Sequence, residues 1–136
     1  MDDDRVREML TAMVTNLDAD EEYALRHEDF VADMPQSGER IRGRDNMRGM
    51  QLAFPPDRQP TFQVRRITGS GDVWTVEAVG DYGGETYFVV CIFEFRDGKI
   101  LRETRYYPQP FEAPKWRAQW VESTDDTQPQ APAGGA

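Results

Sequence analysis

Two carboxylates in strand-like segments are the side chains of this sequence best suited to moving a proton. Asp33 follows the short apolar segment Phe30-Val31-Ala32, and Glu103 lies in the segment that ends at Tyr107. A carboxylate held in an apolar cavity has a raised pKa, which suits it to take a carbon-bound proton or to activate water. The alternatives are structural. Asp33 can accept hydrogen bonds from the amides of the following turn. Glu103 can form an ion pair with Arg65, Arg66 or Arg105.

The other reactive side chains are isolated in the sequence. Cys91 stands between apolar neighbours, where a thiolate is disfavoured, so we expect it to pack rather than to attack a substrate. His27 is the only histidine, and the alternation of an extended segment favours a surface position for it. With one His and one Cys, neither a zinc site nor another cofactor is expected. Tyr106 can donate a hydrogen bond to a ligand oxygen, or it can simply pack.

A further set of side chains, mostly apolar, could line a pliable cavity for a flat hydrophobic ligand. In the segment 73–82 the small and aromatic side chains alternate with a mixed set, so one face of that strand is expected to face a pocket. The candidate ligand-binding residues are Met9, Met13, Met50, Trp74, Val76, Ala78, Cys91 and Phe93. The same pattern is also typical of a plain hydrophobic core.

Helices are predicted in the first third of the chain. The apolar residues from Val6 to Leu17 recur with helical spacing, and Asp2 to Asp4 place negative charge at the start of that helix. Asp18 and Glu21 have the spacing of a capping box, which predicts a second helix over residues 19–26. A short strand is expected at residues 29–33, and a third helix is expected to end at Pro55-Pro56.

Four strands are predicted in the middle of the chain, at residues 61–68, 73–82, 86–95 and 99–107. Short turns rich in glycine separate them, which makes successive strands antiparallel neighbours. The predicted fold class is therefore α+β, with a curved antiparallel sheet and N-terminal helices that enclose a pocket. We expect one domain over residues 1–122, in which the aromatic segment 108–122 packs back on the domain. The tail at 123–136 has a composition typical of disorder.

Particular strings within this order of elements resemble a known family. They are Phe30-Val31-Ala32-Asp33 and the segments 35–43 (PQSGERIRG), 93–100 (FEFRDGKI) and 103–107 (ETRYY). They are similar to the SnoaL-like, polyketide cyclase branch of the nuclear transport factor 2-like superfamily, and the resemblance spans residues 5–121. It implies a cone-shaped fold with an apolar pocket, known as a cystatin-like roll, and dimerisation through the outer sheet face, where Phe88, Val90 and Ile92 would lie.

The resemblance also implies a chemistry. Asp33 occupies a position similar to the catalytic base of ketosteroid isomerases, whereas Cys91 stands where those enzymes have a second acid. The same alignment implies that the side chain of Glu103 faces the pocket. A cofactor-independent isomerisation, cyclisation or dehydration would then use Asp33 as base, Glu103 as second acid and Tyr106 as a polar anchor. A non-catalytic ligand-binding or dimeric interaction protein is the alternative. Epoxide hydrolases of this superfamily use an Asp-Arg-Asp set, but Thr104-Arg105-Tyr106 stands where their last acid would be.

Composition limits the partners. A formal net charge of -9 argues against a nucleic-acid-binding surface. The longest apolar run, 87–93, is far shorter than the roughly 20 residues of a membrane helix. We therefore expect no nucleic-acid or membrane partner. The single cysteine and the absence of a signal-like start favour a cytoplasmic protein, and the resemblance implies a homodimer that binds a small apolar molecule.

Overall fold

The computed structural model describes residues 2–124. The helices are α1 (Asp3–Thr15), α2 (Ala19–Leu25) and α3 (Arg44–Ala53), and the strands are β1 (Arg26–Met34), β2 (Glu39–Arg42), β3 (Thr61–Ser70), β4 (Val73–Tyr82), β5 (Glu85–Arg96) and β6 (Lys99–Tyr106). Short 3₁₀ helices occur at Pro56–Arg58 and Lys115–Trp120. The prediction about the tail falls almost wholly on residues 125–136, which lie outside the described residues.

Local signals explain where the first two helices begin. The side chain of Asp2 accepts a hydrogen bond from the backbone N of Arg5 at 2.8 Å, which caps one of the free amides at the start of α1. The predicted capping box of α2 is confirmed, since Asp18 and Glu21 each bond the other's backbone amide. Both helices therefore start where the acidic residues of the sequence place them.

The six strands form one curved, unclosed sheet in the order β2-β1-β6-β5-β4-β3. The four strands predicted in the middle of the chain are confirmed as antiparallel neighbours, and β1 pairs in parallel with β6. The sequence prediction missed β2, a short and largely exposed edge strand that pairs with β1. Its charged residues are typical of edge strands and give a weak strand signal.

The core lies between the inner face of the sheet and the helices. Trp74, Phe93 and Phe30 come from the sheet, and Leu10 and Met47 come from α1 and α3; all are at most 1% exposed. Full burial of such a side chain stabilises the fold by about 1.5–3 kcal/mol. The indole N–H of Trp74 donates to the carbonyl oxygen of Gly71 at 2.9 Å, so the largest core side chain has a partner for its polar atom.

The segment after β6 does not pack on the domain as predicted. Its first part is fixed, because the carbonyl oxygen of Pro108 accepts a hydrogen bond from the amide of Phe88 at 2.7 Å. Beyond that point Phe111, Trp116 and Trp120 are 80%, 75% and 70% exposed. The prediction that these aromatic side chains pack back on their own domain is therefore wrong.

No helix within residues 2–124 combines the length and the apolar character that crossing a membrane requires.

Candidate functional site

A buried ion pair joins two strands of the inner sheet face. The Nε of Arg26, at the start of β1, donates to Oε2 of Glu103 on β6 at 2.9 Å, and both side chains are 0% exposed. In the parallel pairing of β1 with β6, Arg26 lies opposite Ile100 and Ala32 lies opposite Glu103, with an irregularity between Arg26 and Val31. A charged pair that is fully removed from water needs further hydrogen bonds to offset its desolvation.

Helices α2 and α3 supply those further bonds to Arg26. Its guanidinium donates to Oε1 of Glu22 at 3.1 Å and to Oε1 of Gln51 at 3.4 Å, and Gln51 Nε2 also donates to Glu22 Oε1 at 3.1 Å. The ring of Phe30 lies 5.0 Å from the guanidinium carbon. Burial raises the pKa of Glu22, and the charge of Arg26 opposes this rise. Arg26 is thus held on several sides, and it fixes the orientation of Glu103.

The second carboxylate oxygen of Glu103 has a different environment. Its Oε1 lies 3.5 Å from Nε of Arg105, two residues along the same strand. Both atoms are buried, and neither has a hydrogen-bond partner among residues 2–124. Buried polar atoms without a partner are rare in proteins because each costs about 1–3 kcal/mol. This pair is therefore the part of the interior best prepared to bond a ligand or a water molecule.

Two neighbours of Arg105 keep their protons. Cys91 lies opposite Arg105 on β5, and burial raises the pKa of its thiol. Tyr107 is packed against the core, and its ring centre is 5.8 Å from the guanidinium carbon of Arg105. Burial raises the pKa of Tyr107 to about 12, although Arg105 opposes this rise. At neutral pH the site therefore offers a protonated phenol and a neutral thiol beside the arginine.

Aromatic rings cover the end of the inner face beyond Arg105. Tyr82 is central, with the ring centre of Tyr87 at 4.8 Å, that of Phe62 at 5.8 Å and that of Phe54 at 6.5 Å. Gly80 allows this packing, since a Cβ there would lie 2.8 Å from Phe62 Cε1 and 2.9 Å from Tyr82 Cε1. We call Phe54, Phe62, Tyr82 and Tyr87 the aromatic wall. Burial raises the pKa of Tyr82, and the charge of Arg105 lowers it. Arg105 is therefore close enough to interact electrostatically with the aromatic wall.

Asp33 is placed on the opposite, outer side of the sheet. It accepts hydrogen bonds from Arg40 Nε at 2.6 Å and from Arg102 at 2.8 Å. The bond from Arg40 holds the pKa of Asp33 below its usual range, and the charges of Arg40 and Arg102 act in the same direction. The apolar surroundings and raised pKa expected for Asp33 are therefore wrong. Its catalytic role stays a prediction that its position does not favour.

The two β6 candidates face opposite sides. Glu103 faces the interior, as the resemblance implied, and its predicted alternative partner Arg105 is beside it. Tyr106 pairs with Val90, a residue of β5 whose side chain lies on the outer face of the sheet. The interior position expected for Tyr106 is therefore wrong. The tyrosine that packs on the core is Tyr107, the next residue.

The predicted ligand-binding residues form a packed core rather than the wall of an open hollow. Met13, Trp74, Val76, Ala78, Cys91 and Phe93 are all buried, and Met9 packs at the edge of this group. Met50 is 41% exposed, so the inward position expected for it is wrong. Two open grooves among the described residues, of about 550 and 330 Å³, run along the outer side of α1 rather than inside the sheet.

Sequence reasoning missed the residues that orient Glu103. Arg26 and Glu22 are four residues apart across the junction of α2 and β1, a spacing typical of helical ion pairs, and this was the available signal. Gln51 and Tyr107 gave no comparable signal. Within residues 2–124 no group of three or more His, Cys, Asp or Glu side chains is arranged to hold a metal ion.

Comparisons with known proteins agree with this architecture. The family model of the SnoaL-like domain matches residues 6–103. A nuclear transport factor 2-like protein of unknown function from Burkholderia xenovorans LB400 is 41% identical, with a TM-score of 0.79 over 90% of this chain and 98% of that one. A candidate ketosteroid isomerase from Kribbella flavida is 27% identical, with a TM-score of 0.75 over 83% of each chain.

A more distant structure is also similar. An LEH-like epoxide hydrolase from M. tuberculosis is 25% identical, with a TM-score of 0.58 over 76% of this chain and 79% of that one. None of the curated proteins matches the sequence significantly. Because the family model covers more than half of the residues, this chain belongs to the SnoaL-like family, with the nuclear transport factor 2-like fold.

Proposed function

We propose that this protein is a cofactor-independent acid–base enzyme that acts on a small, mostly apolar molecule bearing a carbonyl or similar oxygen. Glu103 takes a proton from the substrate, and Arg105 stabilises the negative charge that develops on the substrate oxygen. The observation that carries this proposal is the buried pair of Glu103 Oε1 and Arg105 Nε, 3.5 Å apart and without hydrogen-bond partners among residues 2–124.

Glu103 has the arrangement of a positioned base. One of its oxygens is held by Arg26 at 2.9 Å, and Arg26 is itself held by Glu22 and Gln51. The other oxygen, 3.5 Å from Arg105 Nε, makes no hydrogen bond among residues 2–124 and can accept one from the substrate. A base must lie within hydrogen-bond reach of the proton that it removes, and a carboxylate anchored by one oxygen keeps the second in a constant place.

Arg105 and Tyr107 supply the complementary donors. The arginine keeps its charge at any physiological pH, and the raised pKa of Tyr107 keeps its hydroxyl protonated. Hydrogen-bond donors fixed in a site that excludes water stabilise an enolate or alkoxide more than they would in solution. Removing one such donor typically reduces kcat by about 10²–10³-fold.

The aromatic wall indicates the kind of substrate. Phe62, Tyr82 and Tyr87 are half-buried rings that can lie against a flat, unsaturated or polyketide-like molecule. The core below them is tightly packed, so a ligand would enter by displacing these rings rather than by filling a ready-made cavity. The similar structures described as a candidate ketosteroid isomerase and an epoxide hydrolase support this class of reaction.

Epoxide opening by water is a second candidate reaction. Arg26 lies between two carboxylates, Glu22 and Glu103, and bonds both. This arrangement combines the same kinds of side chain as the acid-arginine-acid set of epoxide hydrolases, although the residues come from other elements. A water molecule on Glu103 Oε1 would be the nucleophile.

A non-catalytic ligand-binding protein is the alternative from another class. The complete bonding of Arg26 and the dense core favour it, because both are also typical of a structural ion-pair network.

The test is a panel of β,γ-unsaturated cyclic ketones and cyclic epoxides, assayed for turnover with the wild type, Glu103→Gln and Asp33→Asn. We expect Glu103→Gln to lose about 10²–10⁴-fold in kcat/KM, because a general base contributes this much. Asp33→Asn is the matched carboxylate control from the outer face and should retain activity. Equal activity of Glu103→Gln and the wild type would contradict the proposal. Ligands that stabilise the wild type against heat without being turned over would favour the binding protein.

A further inference from the structure

Arg105 is a mostly buried cation whose charge is incompletely paired. Its side chain is 18% exposed, and the Oε1 of Glu103 lies 3.5 Å from its Nε without forming a hydrogen bond. The other oxygen of Glu103 is bonded to Arg26 at 2.9 Å. Glu103 therefore shares a single negative charge between two arginines. A guanidinium removed from water needs a counter-charge and hydrogen bonds to offset the loss of its hydration.

Among residues 2–124, the other titratable groups around Arg105 do not supply the missing negative charge. Burial raises the pKa of the Cys91 thiol, and it raises the pKa of Tyr107 to about 12, so both groups are neutral at physiological pH. The second carboxylate of the cluster is that of Glu22, and its Oε1 is bonded to Arg26 at 3.1 Å. The positive charge of Arg105 is therefore the one that a ligand can still pair.

We propose that the site takes a planar carboxylic acid as its anion, with the carboxylate on Arg105 and the flat apolar part against the aromatic wall. This inference rests on the site of the proposed function and deepens it by naming the charge of the ligand. A guanidinium presents parallel N–H donors that match the two oxygens of a carboxylate, so the two groups form paired hydrogen bonds. The anion would complete the pairing that Glu103 leaves incomplete.

The aromatic wall indicates the shape of the rest of the ligand. Its central ring is Tyr82, which interacts electrostatically with Arg105 and whose pKa burial raises, so that its phenol is neutral. The ring centre of Tyr87 is 4.8 Å from that of Tyr82, and the ring centre of Phe62 is 5.8 Å from it. A ring that carries its carboxylate directly, or through one double bond, suits a cation beside such a wall. Naphthoate and cinnamate have this form.

Long-range electrostatics cannot produce a preference for such an anion. The chain has a net charge of -9, so its overall field repels anions. A carboxylate that binds more tightly than its neutral isostere must therefore gain from a local cation. Strand β6 offers a matched comparison, because Arg105 lies in the interior whereas Arg102 bonds Asp33 at 2.8 Å on the outer side of the sheet.

The experiment measures dissociation constants for matched acid and amide pairs by titration calorimetry at neutral pH. The pairs are naphthoate with naphthamide and cinnamate with cinnamamide, and the proteins are the full chain, Arg105→Gln and Arg102→Gln. We expect the wild type to bind each acid roughly 10–100-fold more tightly than its amide, the effect of hydrogen bonds to a charged group. Arg105→Gln should remove this preference, and Arg102→Gln should keep it.

A second measurement needs no variant and so does not depend on the folding of Arg105→Gln. In NMR spectra of the arginine side chains of the wild type, the acids should shift the Nε–H signal of Arg105 and leave that of Arg102 in place. Amides that bind the wild type as tightly as the acids would overturn the proposal. So would an unshifted Arg105 signal, a preserved preference in Arg105→Gln, or no binding of either acid at millimolar concentration.

The outcomes also separate this inference from the proposed function. Preferential acid binding without turnover of any ketone or epoxide of the panel would support this inference and contradict the proposed enzyme. Turnover that is lost in Glu103→Gln, together with equal binding of acids and amides, would overturn this inference alone.

Discussion

Arg26 and Glu103 form a hydrogen-bonded ion pair of 2.9 Å between two parallel strands, with neither side chain exposed to water. The pair links α2 and α3 to the sheet, because Glu22 and Gln51 bond the same guanidinium. It also leaves Oε1 of Glu103 beside Arg105 without a hydrogen bond among residues 2–124. A single arrangement thus serves the stability of the fold and the orientation of the proposed base.

Removing one member of this pair should destabilise the protein strongly. Arg26→Met leaves the buried carboxylate of Glu103 without its counter-charge, and we expect the free energy of unfolding to fall by about 3–5 kcal/mol. The double change Arg26→Met with Glu103→Met should recover part of this loss, because the Glu103 carboxylate is then removed together with its counter-charge. Urea denaturation of the three proteins measures both effects. A loss below about 1 kcal/mol in Arg26→Met would contradict the structural role assigned to the pair.

We expect the ion pairs of Asp33 to make a contribution to folding stability that depends on pH. Its folded-state pKa is lowered, mainly by the hydrogen bond from Arg40, so the contribution is present above the unfolded-state pKa of about 3.9. It is lost as the pH falls through the folded value, because the unfolded chain then binds the proton more readily. In denaturant titrations below about pH 4, the stability of Asp33→Asn should therefore decline less than that of the wild type.

The control for that titration is Asp72→Asn, which changes an exposed aspartate in the turn between β3 and β4. Its acid-induced loss of stability should follow the wild type. Identical acid curves for Asp33→Asn and the wild type would show that the pairs with Arg40 and Arg102 do not stabilise the folded state.

Gly80 should be required for the aromatic wall. A methyl group at this position would lie 2.8 Å from the ring of Phe62 and 2.9 Å from that of Tyr82, so both rings must shift. We expect Gly80→Ala to lower the free energy of unfolding by about 1–3 kcal/mol, the usual cost of overpacking.

Gly49→Ala provides the comparison for Gly80. Gly49 lies within α3 and nothing is within 4 Å of the added atom, so this change should stabilise the protein by about 0.5–1 kcal/mol. Thermal unfolding of both variants distinguishes a packing effect from a general effect of glycine replacement. Equal stabilisation by the two changes would contradict the close ring packing at Gly80.

Local patterns predicted most of the fold. Some signals act over only a few residues and can be recognised in the sequence. These are the capping residues of α1 and α2 and the glycine-bearing turns between β3 and β6. The β2 strand was missed because its pairing with β1 is its main support and its own residues are mostly charged and exposed.

The candidate site was less predictable, because the pairing register of a strand decides which face of the sheet each of its side chains lies on. Strand alternation alone puts Asp33 on the side opposite Phe30 and Ala32, and the structure follows that alternation rather than the resemblance to the isomerase base. The facing of β6 also depends on an irregularity in its pairing with β5, between Glu94 and Phe95. The burial of Arg26 could not be predicted, since arginine is rarely buried and its partners come from three other elements.

The most direct test of the central claim is a crystal structure with the panel compound that most increases the thermal stability of the wild type. The account predicts a ligand against the aromatic wall, with a polar atom about 2.6–3.2 Å from Glu103 Oε1 or Arg105 Nε. A ligand bound in the grooves along α1, with Glu103 and Arg105 left as they are without it, would contradict the account.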